Sequence, residues 1–310
     1  MRENTREFLR SLGLPGGDPG ELPASTKRFP DGAQYRVEIP SVEGPEALEA
    51  VYDEADARGV TVHRISQGSG GMLLTQRELA AMAEFARARS IEVSLFARPV
   101  AAWDTGAASV ASAGGPFAAQ ARGTEQLVDV LEDIRRTTEA GFRSVLVTDL
   151  GVLTVAARMR EAGVLPADLQ FKVSVQMGLA NPASIRLAEQ AGATTYNVPT
   201  DLSLAQLAAV RAAVDLPLDI YVEAPDDLGG FVRHHEIAEI VRVAAPVYLK
   251  FGLRNAPNIY PSGTHLTPTA VALVRERVRR AEIGLELLNR YDPEAVGSTL
   301  SAADLAVPVA

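Results

Sequence analysis

Short apolar segments with a polar or charged residue at every second position recur along the chain. In residues 171–176, three apolar side chains share one face of an extended strand, and Lys172, Ser174 and Gln176 share the other. Residues 35–39, 218–223 and 247–251 repeat this alternation. Helical patterns separate the segments, which predicts parallel strands covered by helices on one side. The charged faces then need a shielded place, and the inside of a closed barrel provides one.

The alternation of strand and helix patterns occurs eight times. Strands are predicted at residues 35–39, 60–65, 91–97, 144–148, 171–176, 195–198, 218–222 and 247–251. We therefore predict an α/β fold, a single (β/α)8 TIM-like barrel at residues 35–291. A short N-terminal extension at residues 1–34 precedes it, and a loosely ordered tail at residues 292–310 follows. The alternative is a doubly wound open sheet, which would need a reversal of strand order and rarely carries so many inward charges.

The composition of the chain excludes several kinds of chemistry. The chain has 310 residues, a formal net charge of -9 and no cysteine. The acidic balance argues against nucleic acid as a partner. The lack of cysteine excludes an iron–sulfur cluster and a thiol nucleophile. No nucleotide-binding fingerprint predicts a flavin or nicotinamide. With no signal peptide and no membrane span, we expect a cytoplasmic protein that acts on a small molecule; a homo-oligomer is compatible with the sequence.

Three of the candidate catalytic residues, Glu38, Glu223 and Lys250, come late in the predicted strands, where barrel enzymes place catalytic groups. Glu223 or Glu38 is expected to move a proton. Lys250 or Lys172 is expected to stabilise negative charge or to form an imine with a carbonyl. His63 could be a general base, a metal ligand or a buried core group.

Other polar residues complete the predicted site. The expected substrate contacts are Arg98, Asp149, Ser174, Gln176, Asn197, Tyr221, Arg254 and Tyr260. The loop Gly68-Ser69-Gly70 follows a strand and precedes a capped helix, so its N–H groups could hold an anion, although tight turning would also explain the glycines. Trp103 and Asp104 could form part of a lid.

Two structural alternatives concern the same polar residues. Arg36 and Asp219 come early in their strands, which favours a buried ion pair. Glu38, His63, Asp219 and Glu223 have the ligand chemistry for a divalent metal, but no HxH or HExxH spacing occurs, and we predict no metal site.

Two linked stretches resemble the collagenase-like peptidases, peptidase family U32. The first is 148-TDLGVL-153; the second begins with 173-VSVQM-177 and continues through Asn181, 191-AGA-193 and 202-LSL-204. The resemblance covers about residues 130–225 and implies a TIM-like barrel with a pocket at Asp149, Ser174, Gln176 and Asn197. Several family members are associated with hydroxylation of RNA or quinone precursors and hold an iron–sulfur cluster through cysteines, which this chain lacks.

These observations predict a barrel enzyme that applies polar acid–base chemistry to a small substrate with a carboxylate or carbonyl group. Hydrolysis of an amide-like bond is the reaction that the family resemblance favours. A lyase or aldolase reaction through an imine is the alternative that the inward lysines favour. A non-catalytic barrel that binds a ligand or partner is the third hypothesis, and fully paired charges without an open pocket would support it.

Overall fold

The chain forms one closed barrel of eight parallel strands in the order β1 to β8, which confirms the predicted (β/α)8 fold. The computed structural model describes residues 2–11, 20–98, 119–300 and 302–310. Trp103 and Asp104, the predicted lid residues, lie outside these ranges. Among the helices of the described residues, none is long and apolar enough to cross a membrane.

Several strands begin later or end earlier than predicted. They are β1 (Tyr35–Pro40), β2 (Arg64–Ser66), β3 (Glu92–Phe96), β4 (Ser144–Val147), β5 (Gln170–Val173), β6 (Thr195–Asn197), β7 (Leu218–Glu223) and β8 (Val247–Phe251). The helices are α1 (Arg2–Ser11), α2 (Pro45–Arg58), α3 (Gln76–Arg89), α4 (Gly123–Glu139), α5 (Leu150–Glu161), α6 (Pro182–Gln190), α7 (Leu204–Ala213), α8 (Ile237–Ala244) and α9 (Thr267–Tyr291).

Local sequence signals explain where the helices begin. The Thr75 hydroxyl oxygen accepts the backbone N–H of Glu78, and the Glu78 carboxylate accepts the backbone N–H of Thr75. This capping box forms the N-terminus of α3. Ser203 and Gln206 start α7 in the same way. The alternate residues of each strand that face the helices are fully buried, as in Val37 of β1, and form the apolar layer between barrel and helices.

The register of the second strand, which also begins later than predicted, decides which residues face the interior. Arg64 pairs with inward Glu38 and Ser66 pairs with Pro40, so the inward positions of β2 are Arg64 and Ser66. His63 lies at the amino end of the barrel, where its Nδ1 accepts the N–H of Val37 at 3.1 Å and its Nε2 is 2.8 Å from Ser298 O. The prediction that His63 belongs to the site at the carboxyl ends is therefore wrong.

The described residues of the C-terminal tail close the amino end of the barrel and make specific contacts there, whereas a loosely ordered tail was predicted. Ser298 donates its backbone N–H to Tyr35 O at 3.1 Å, and its hydroxyl accepts from Arg36 Nε at 2.9 Å. Arg36 also donates to Asp304 at 2.6 Å. The buried guanidinium of Arg36 thus has the structural role that its early strand position predicted, with a tail residue as its partner.

Candidate functional site

A cavity of about 230 Å³ opens at the carboxyl ends of the strands. It is bounded by the last residues of several strands and by the loops that follow them, which is where barrel enzymes hold their substrates. Its predicted members are Gly68, Arg98, Ser174, Gln176, Asn197, Tyr221, Lys250 and Tyr260. Ser41, Ser66, Gln67, Asp227 and Asn258 are polar members that the sequence did not single out.

Lys250 supplies the amine of the cavity floor. Its Nζ donates to Asn197 Oδ1 at 2.6 Å and lies 3.3 Å from Glu38 Oε1. The same nitrogen is 4.4 Å from the centre of the Tyr221 ring, within range of a cation–π contact. Only 3% of Lys250 is exposed. Neighbours on β1, β6 and β7 therefore fix the amine so that it faces the cavity.

Glu38 lies beneath this floor and serves as a counterion. Its Oε2 accepts from Arg64 Nε at 2.8 Å and from Lys172 at 2.7 Å, while its Oε1 accepts from Ser66 at 2.7 Å. Burial alone would raise the pKa of Glu38, but Arg64, Lys172 and Lys250 together hold this pKa well below its usual range. A carboxylate with so low a pKa is a poor proton acceptor, which argues against its predicted role in proton transfer.

The ionic network continues below Glu38. Lys172 donates to Asp219, and Arg64 lies 2.6 Å from Asp219 Oδ1 and 3.5 Å from Glu92 Oε1. The three buried cations are Arg64, Lys172 and Lys250, and the three carboxylates are Glu38, Asp219 and Glu92. Burial, followed by repulsion from Arg64, lowers the pKa of Lys172 to about 8. This charge-balanced network fills the lower barrel, and Asp219 has the ion-pair role predicted for it.

The two inward lysines therefore occupy different levels. Lys250 lines the cavity, whereas Lys172 lies within the network and is not among the lining residues. The scarcity of lysine in the sequence is a signal that could have singled out these residues. Lys27, Lys172 and Lys250 are its three lysines, and two of them are inside the barrel.

Glu223 does not line the cavity, contrary to prediction. The β7–β8 register shifts between Tyr221 and Glu223, and this irregularity takes the carboxylate out of the alternation. Its Oε2 is 3.1 Å from His234 Nε2, and its Oε1 accepts the N–H of Arg254 at 3.0 Å. Burial would raise the pKa of Glu223, but the bonds from His234 and Arg254 lower it. Glu223 thus connects the loops that follow β7 and β8.

Two predicted substrate contacts also lie outside the cavity lining. Asp149 caps α5, because its Oδ1 accepts the N–H of Val152 at 2.9 Å; its Oδ2 accepts the N–H of Ala121 at 3.1 Å. The side chain of Arg254 is 60% exposed and lies 3.5 Å from Asp226. Asp149 therefore shapes the start of a helix, and Arg254 contributes its backbone N–H to the loop structure.

The predicted anion-binding loop already binds a carboxylate of this chain. Gly68 N and Ser69 N donate to the two oxygens of Glu43 at 2.7 and 3.2 Å, and Gly70 N donates to Gln67 Oε1 at 3.0 Å. These N–H groups are consequently not available to an external phosphate, and the prediction for this loop is wrong in this respect. Burial raises the pKa of Glu43 despite these bonds.

The loop between β8 and α9 forms one wall of the cavity. Tyr260 donates its hydroxyl to Ser41 Oγ. Its ring lies so close to Gly68 that a Cβ built there would be 2.5 Å from Tyr260 Cε1, which explains the glycine. Arg98 donates to Gly68 O at 3.2 Å on the same wall. Burial lowers the pKa of Arg98, although a guanidinium stays charged at neutral pH.

Gln176 reaches the cavity from a turn instead of a strand. The strand β5 ends at Val173, and a short 3₁₀ turn spans Val175–Met177. Ser174 begins this turn by accepting the N–H of Gln176 at 3.3 Å. Both side chains line the cavity even though the alternation stops before them.

The four residues considered as metal ligands are not brought together. Glu38 and Asp219 contact Arg64 and Lys172, His63 contacts the tail, and Glu223 contacts His234. Among the residues that the structure describes, no group of three or more potential ligands could hold a metal ion.

The fold and cavity define a (β/α)8 barrel with a polar, lysine-bearing site. Residues 118–224 match the family model of Peptidase family U32, which confirms the resemblance seen in the sequence motifs. A comparison with curated proteins gives no match.

Solved structures similar to this chain include the U32 peptidase Mk0906, with 17% identity over 67% of this chain and 73% of that one and a TM-score of 0.40. The YdjI aldolase from Escherichia coli K12 is 15% identical over 84% and 94% of the two chains, with a TM-score of 0.49. Oxaloacetate acetylhydrolase in complex with the product oxalate is 13% identical over 86% and 85%, with a TM-score of 0.46.

Proposed function

We propose that this barrel is an enzyme that binds a small compound bearing a carbonyl and a carboxylate and stabilises the negative charge that develops on it. The observation that carries the proposal is the position of Lys250, an amine fixed by Asn197 at 2.6 Å on the floor of an open cavity. A pre-positioned ammonium group in a water-poor site stabilises an enolate or oxyanion more strongly than water does. Arg98 on the cavity wall supplies a second cation for a carboxylate.

The proton acceptor in this proposal differs from the one expected from sequence. Glu38 is held ionised by its cationic neighbours, and Glu223 lies outside the cavity. Asp227 is the carboxylate among the described residues that line the cavity. We therefore assign to Asp227 the removal of a proton next to the substrate carbonyl, while Lys250 stabilises the resulting enolate. This chemistry needs no redox cofactor.

Imine formation by Lys250 is the second candidate. The amine of Lys250 lines the cavity, where it is placed to attack a substrate carbonyl. An aldolase or lyase reaction could follow from such an adduct. The two candidates share the residue and the substrate class but differ in whether a covalent bond forms.

Hydrolysis of an amide-like bond is favoured by the family match but less by the geometry. Ser66 presents a hydroxyl on the cavity lining and donates it to Glu38 Oε1 at 2.7 Å. A nucleophilic serine needs a base that takes its proton. The low pKa of Glu38 makes it a weak base, so this pair suits structure more than nucleophilic attack. A purely binding barrel would have equally paired charges, but the open cavity supports an enzyme.

The test is exchange of the protons next to the carbonyl of pyruvate and longer 2-oxo acids in deuterated water, followed by proton NMR. We expect exchange with the wild-type protein and its loss in Lys250→Met. Lys27→Met is the matched control, because Lys27 lies at the C-terminal end of α7, where it donates to Val214 O. Equal exchange in Lys250→Met, or none with any tested 2-oxo acid, contradicts the proposal. Trapping with cyanoborohydride then separates the candidates: a stable adduct on Lys250 indicates an imine.

A further inference from the structure

Two hydroxyl groups meet on the wall of the cavity. Ser41 directly follows β1, Tyr260 belongs to the loop between β8 and α9, and both residues line the cavity. The Tyr260 hydroxyl donates to Ser41 Oγ. We propose that this hydroxyl pair, with the buried guanidinium of Arg277 behind it, is the subsite that binds the carboxylate of the substrate. The inference deepens the proposed function and rests on it, since it assigns the second anionic group of the ligand that Lys250 binds.

The hydroxyl pair has one proton that is available to a ligand. The two hydroxyls carry two protons, and the hydrogen bond between Tyr260 and Ser41 uses one of them. Among the residues that the structure describes, none accepts the hydroxyl proton of Ser41. Whichever of the two hydroxyls donates to the other, one O–H donor is left on the cavity wall. Such a donor binds an anionic oxygen about twice as strongly as a neutral one.

The backbone of Ser41 has a conformation that residues other than glycine rarely adopt. Its φ is 59°, in the left-handed region. Arg277 on α9 donates from Nη1 to Ser41 O at 3.0 Å, and Tyr260 binds the side chain. Strained residues of this kind persist where their surroundings hold them, and they cluster at ligand sites. Contacts from α9 and from the β8–α9 loop therefore fix Ser41 on the wall.

Arg277 places a positive charge behind the hydroxyl pair. It is 4% exposed, and among the described residues its Nε has no hydrogen-bond partner and no salt bridge joins it to a carboxylate. Burial lowers the pKa of Arg277, and the nearby Tyr260, Tyr221 and Glu43 oppose this effect. A guanidinium stays charged at neutral pH, and a buried charge without an ion pair is costly. A carboxylate on the cavity wall would compensate this charge.

Tyr260 is suited to donate a hydrogen bond at this place. Burial raises the pKa of its hydroxyl above the ordinary value, so the proton stays on the oxygen at neutral pH. Arg98 lies on the same wall, where it donates to Gly68 O at 3.2 Å, and adds a second cation near the pair. The wall therefore combines O–H donors with positive charge, which favours an anion over a neutral group.

The cavity thus offers two places to the oxygens of an anion. Lys250 is on the floor, and the hydroxyl pair is on the wall. A 2-oxo acid matches this arrangement, because its carbonyl oxygen takes up negative charge next to Lys250 while its carboxylate binds the wall. The cavity of about 230 Å³ is smaller than the roughly 300–1,000 Å³ of pockets for drug-sized ligands, so the acid is a short one.

Oxalate and oxamate test the inference, because the two anions have nearly the same shape and differ in one carboxylate. Isothermal titration calorimetry measures both affinities, and their ratio gives the preference for the second carboxylate. We expect the wild type to prefer oxalate and the double variant Ser41→Ala/Tyr260→Phe to lose about 10-fold of this preference. Ser11→Ala/Tyr291→Phe is the matched control, since Ser11 donates to Phe8 O in α1 and Tyr291 contacts His235 at the end of α9.

Arg277 is tested as a positioning residue through the same ratio. Arg277→Met should lower the preference for oxalate by about 3-fold, because the guanidinium acts on the anion from behind the hydroxyls. Arg277→Lys keeps the charge and should restore most of the preference. A merely structural role of Arg277 would weaken oxalate and oxamate equally and leave the ratio unchanged.

The outcomes separate the inference from the proposed function. An unchanged ratio in the double variant, folded by circular dichroism, overturns the inference, and so does a wild type without a preference for oxalate. If the double variant does not fold, Tyr260→Phe alone should lower the ratio by about 3-fold, and an unchanged ratio there overturns the inference as well. A ratio that depends on the hydroxyl pair, without proton exchange in any 2-oxo acid, rejects the proposed function alone.

Discussion

Glu43 Oε1 accepts the backbone N–H of Gly68 at 2.7 Å, so a carboxylate of this chain occupies the glycine loop that follows β2. Its second oxygen accepts the N–H of Ser69 at 3.2 Å. Two successive backbone N–H groups of this loop therefore bind a carboxylate of this chain, the contact that an external anion would otherwise make. Glu43 therefore fixes one wall of the cavity, because Gly68 contacts Tyr260 and carries the carbonyl bound by Arg98.

Replacement of Glu43 by alanine should destabilise the protein. The change leaves the N–H groups of half-buried Gly68 and buried Ser69 without their acceptor, which costs about 1–3 kcal/mol for each group that water cannot reach. Urea denaturation monitored by circular dichroism measures the loss. Glu46→Ala is the matched control, since Glu46 is exposed in the next turn. Equal stability of Glu43→Ala and the wild type would contradict this role for Glu43.

Arg64→Met should be among the most destabilising single changes in the barrel. Arg64 is fully buried, contacts Glu38 and Asp219, and lies 3.4 Å from the centre of the Tyr248 ring. Removing one partner of a buried ion network leaves uncompensated carboxylates, at a cost of about 3–5 kcal/mol. The free energy of unfolding in urea tests this. Arg158→Ala is the control, because Arg158 is 77% exposed in a surface ion pair of a helix and its loss should leave the free energy of unfolding unchanged. Similar losses of stability in Arg64→Met and Arg158→Ala would contradict the special role of the buried network.

His63 should make the protein less stable as the pH falls below neutrality. Burial lowers the pKa of His63 to about 4 from an ordinary value near 6.5. The unfolded chain then binds a proton more readily than the folded one between these values. Stability is complete above pH 6.5 and is lost as the pH falls towards 4, by about 2 kcal/mol between pH 7 and pH 5.

Two controls isolate this contribution. His63→Gln should show a flatter pH dependence in urea denaturation, because the titrating group is gone. Asp133 acts with the opposite sign, since burial raises its pKa to about 6 and its contribution falls as the pH rises towards 6. The comparison is therefore made between wild type and variant at each pH. Identical pH profiles of the two proteins would contradict the assignment.

Glu223→Gln should loosen the loops around the cavity and should have only a small effect on the rate of proton exchange. The isosteric amide weakens the link from Glu223 to Arg254 N and His234. We expect faster hydrogen exchange at the N–H of Arg254, and a fall of less than about 10-fold in proton exchange of 2-oxo acids. A fall of about 100-fold with unchanged hydrogen exchange would indicate that Glu223 takes the proton itself.

Period-two alternation predicted the barrel and much of its inner face. Lys172, Tyr221 and Lys250 were placed correctly because regular strands alternate their faces without exception. The alternation does not hold where a strand loses its regular register. Arg64 was missed because the apolar pattern of residues 60–65 does not reveal the register of β2, which pairs Arg64 with Glu38. Glu223 was misplaced because a register shift interrupts β7.

Contacts between residues that are far apart in the sequence could not be predicted from local sequence patterns. Glu43 fills a loop 25 residues away, and Asp304 pairs with Arg36 across 268 positions. No local propensity encodes such pairings, since they depend on how strands and loops are brought together by the closed barrel. The family motif at Asp149 marks a helix cap, which local sequence could have revealed through the following helical pattern.

Binding of oxalate, a planar dianion that resembles the enolate of pyruvate, tests the central role of Lys250 most directly. Isothermal titration calorimetry at constant pH would compare the wild type with Lys250→Met, and Lys27→Met serves as control. We predict that the wild type and Lys27→Met bind oxalate equally, and that Lys250→Met binds it at least about 10-fold more weakly, the value expected for one lost charge-assisted hydrogen bond. Equal affinity in Lys250→Met and the wild type would contradict the assignment of Lys250 as the group that holds the substrate's negative charge.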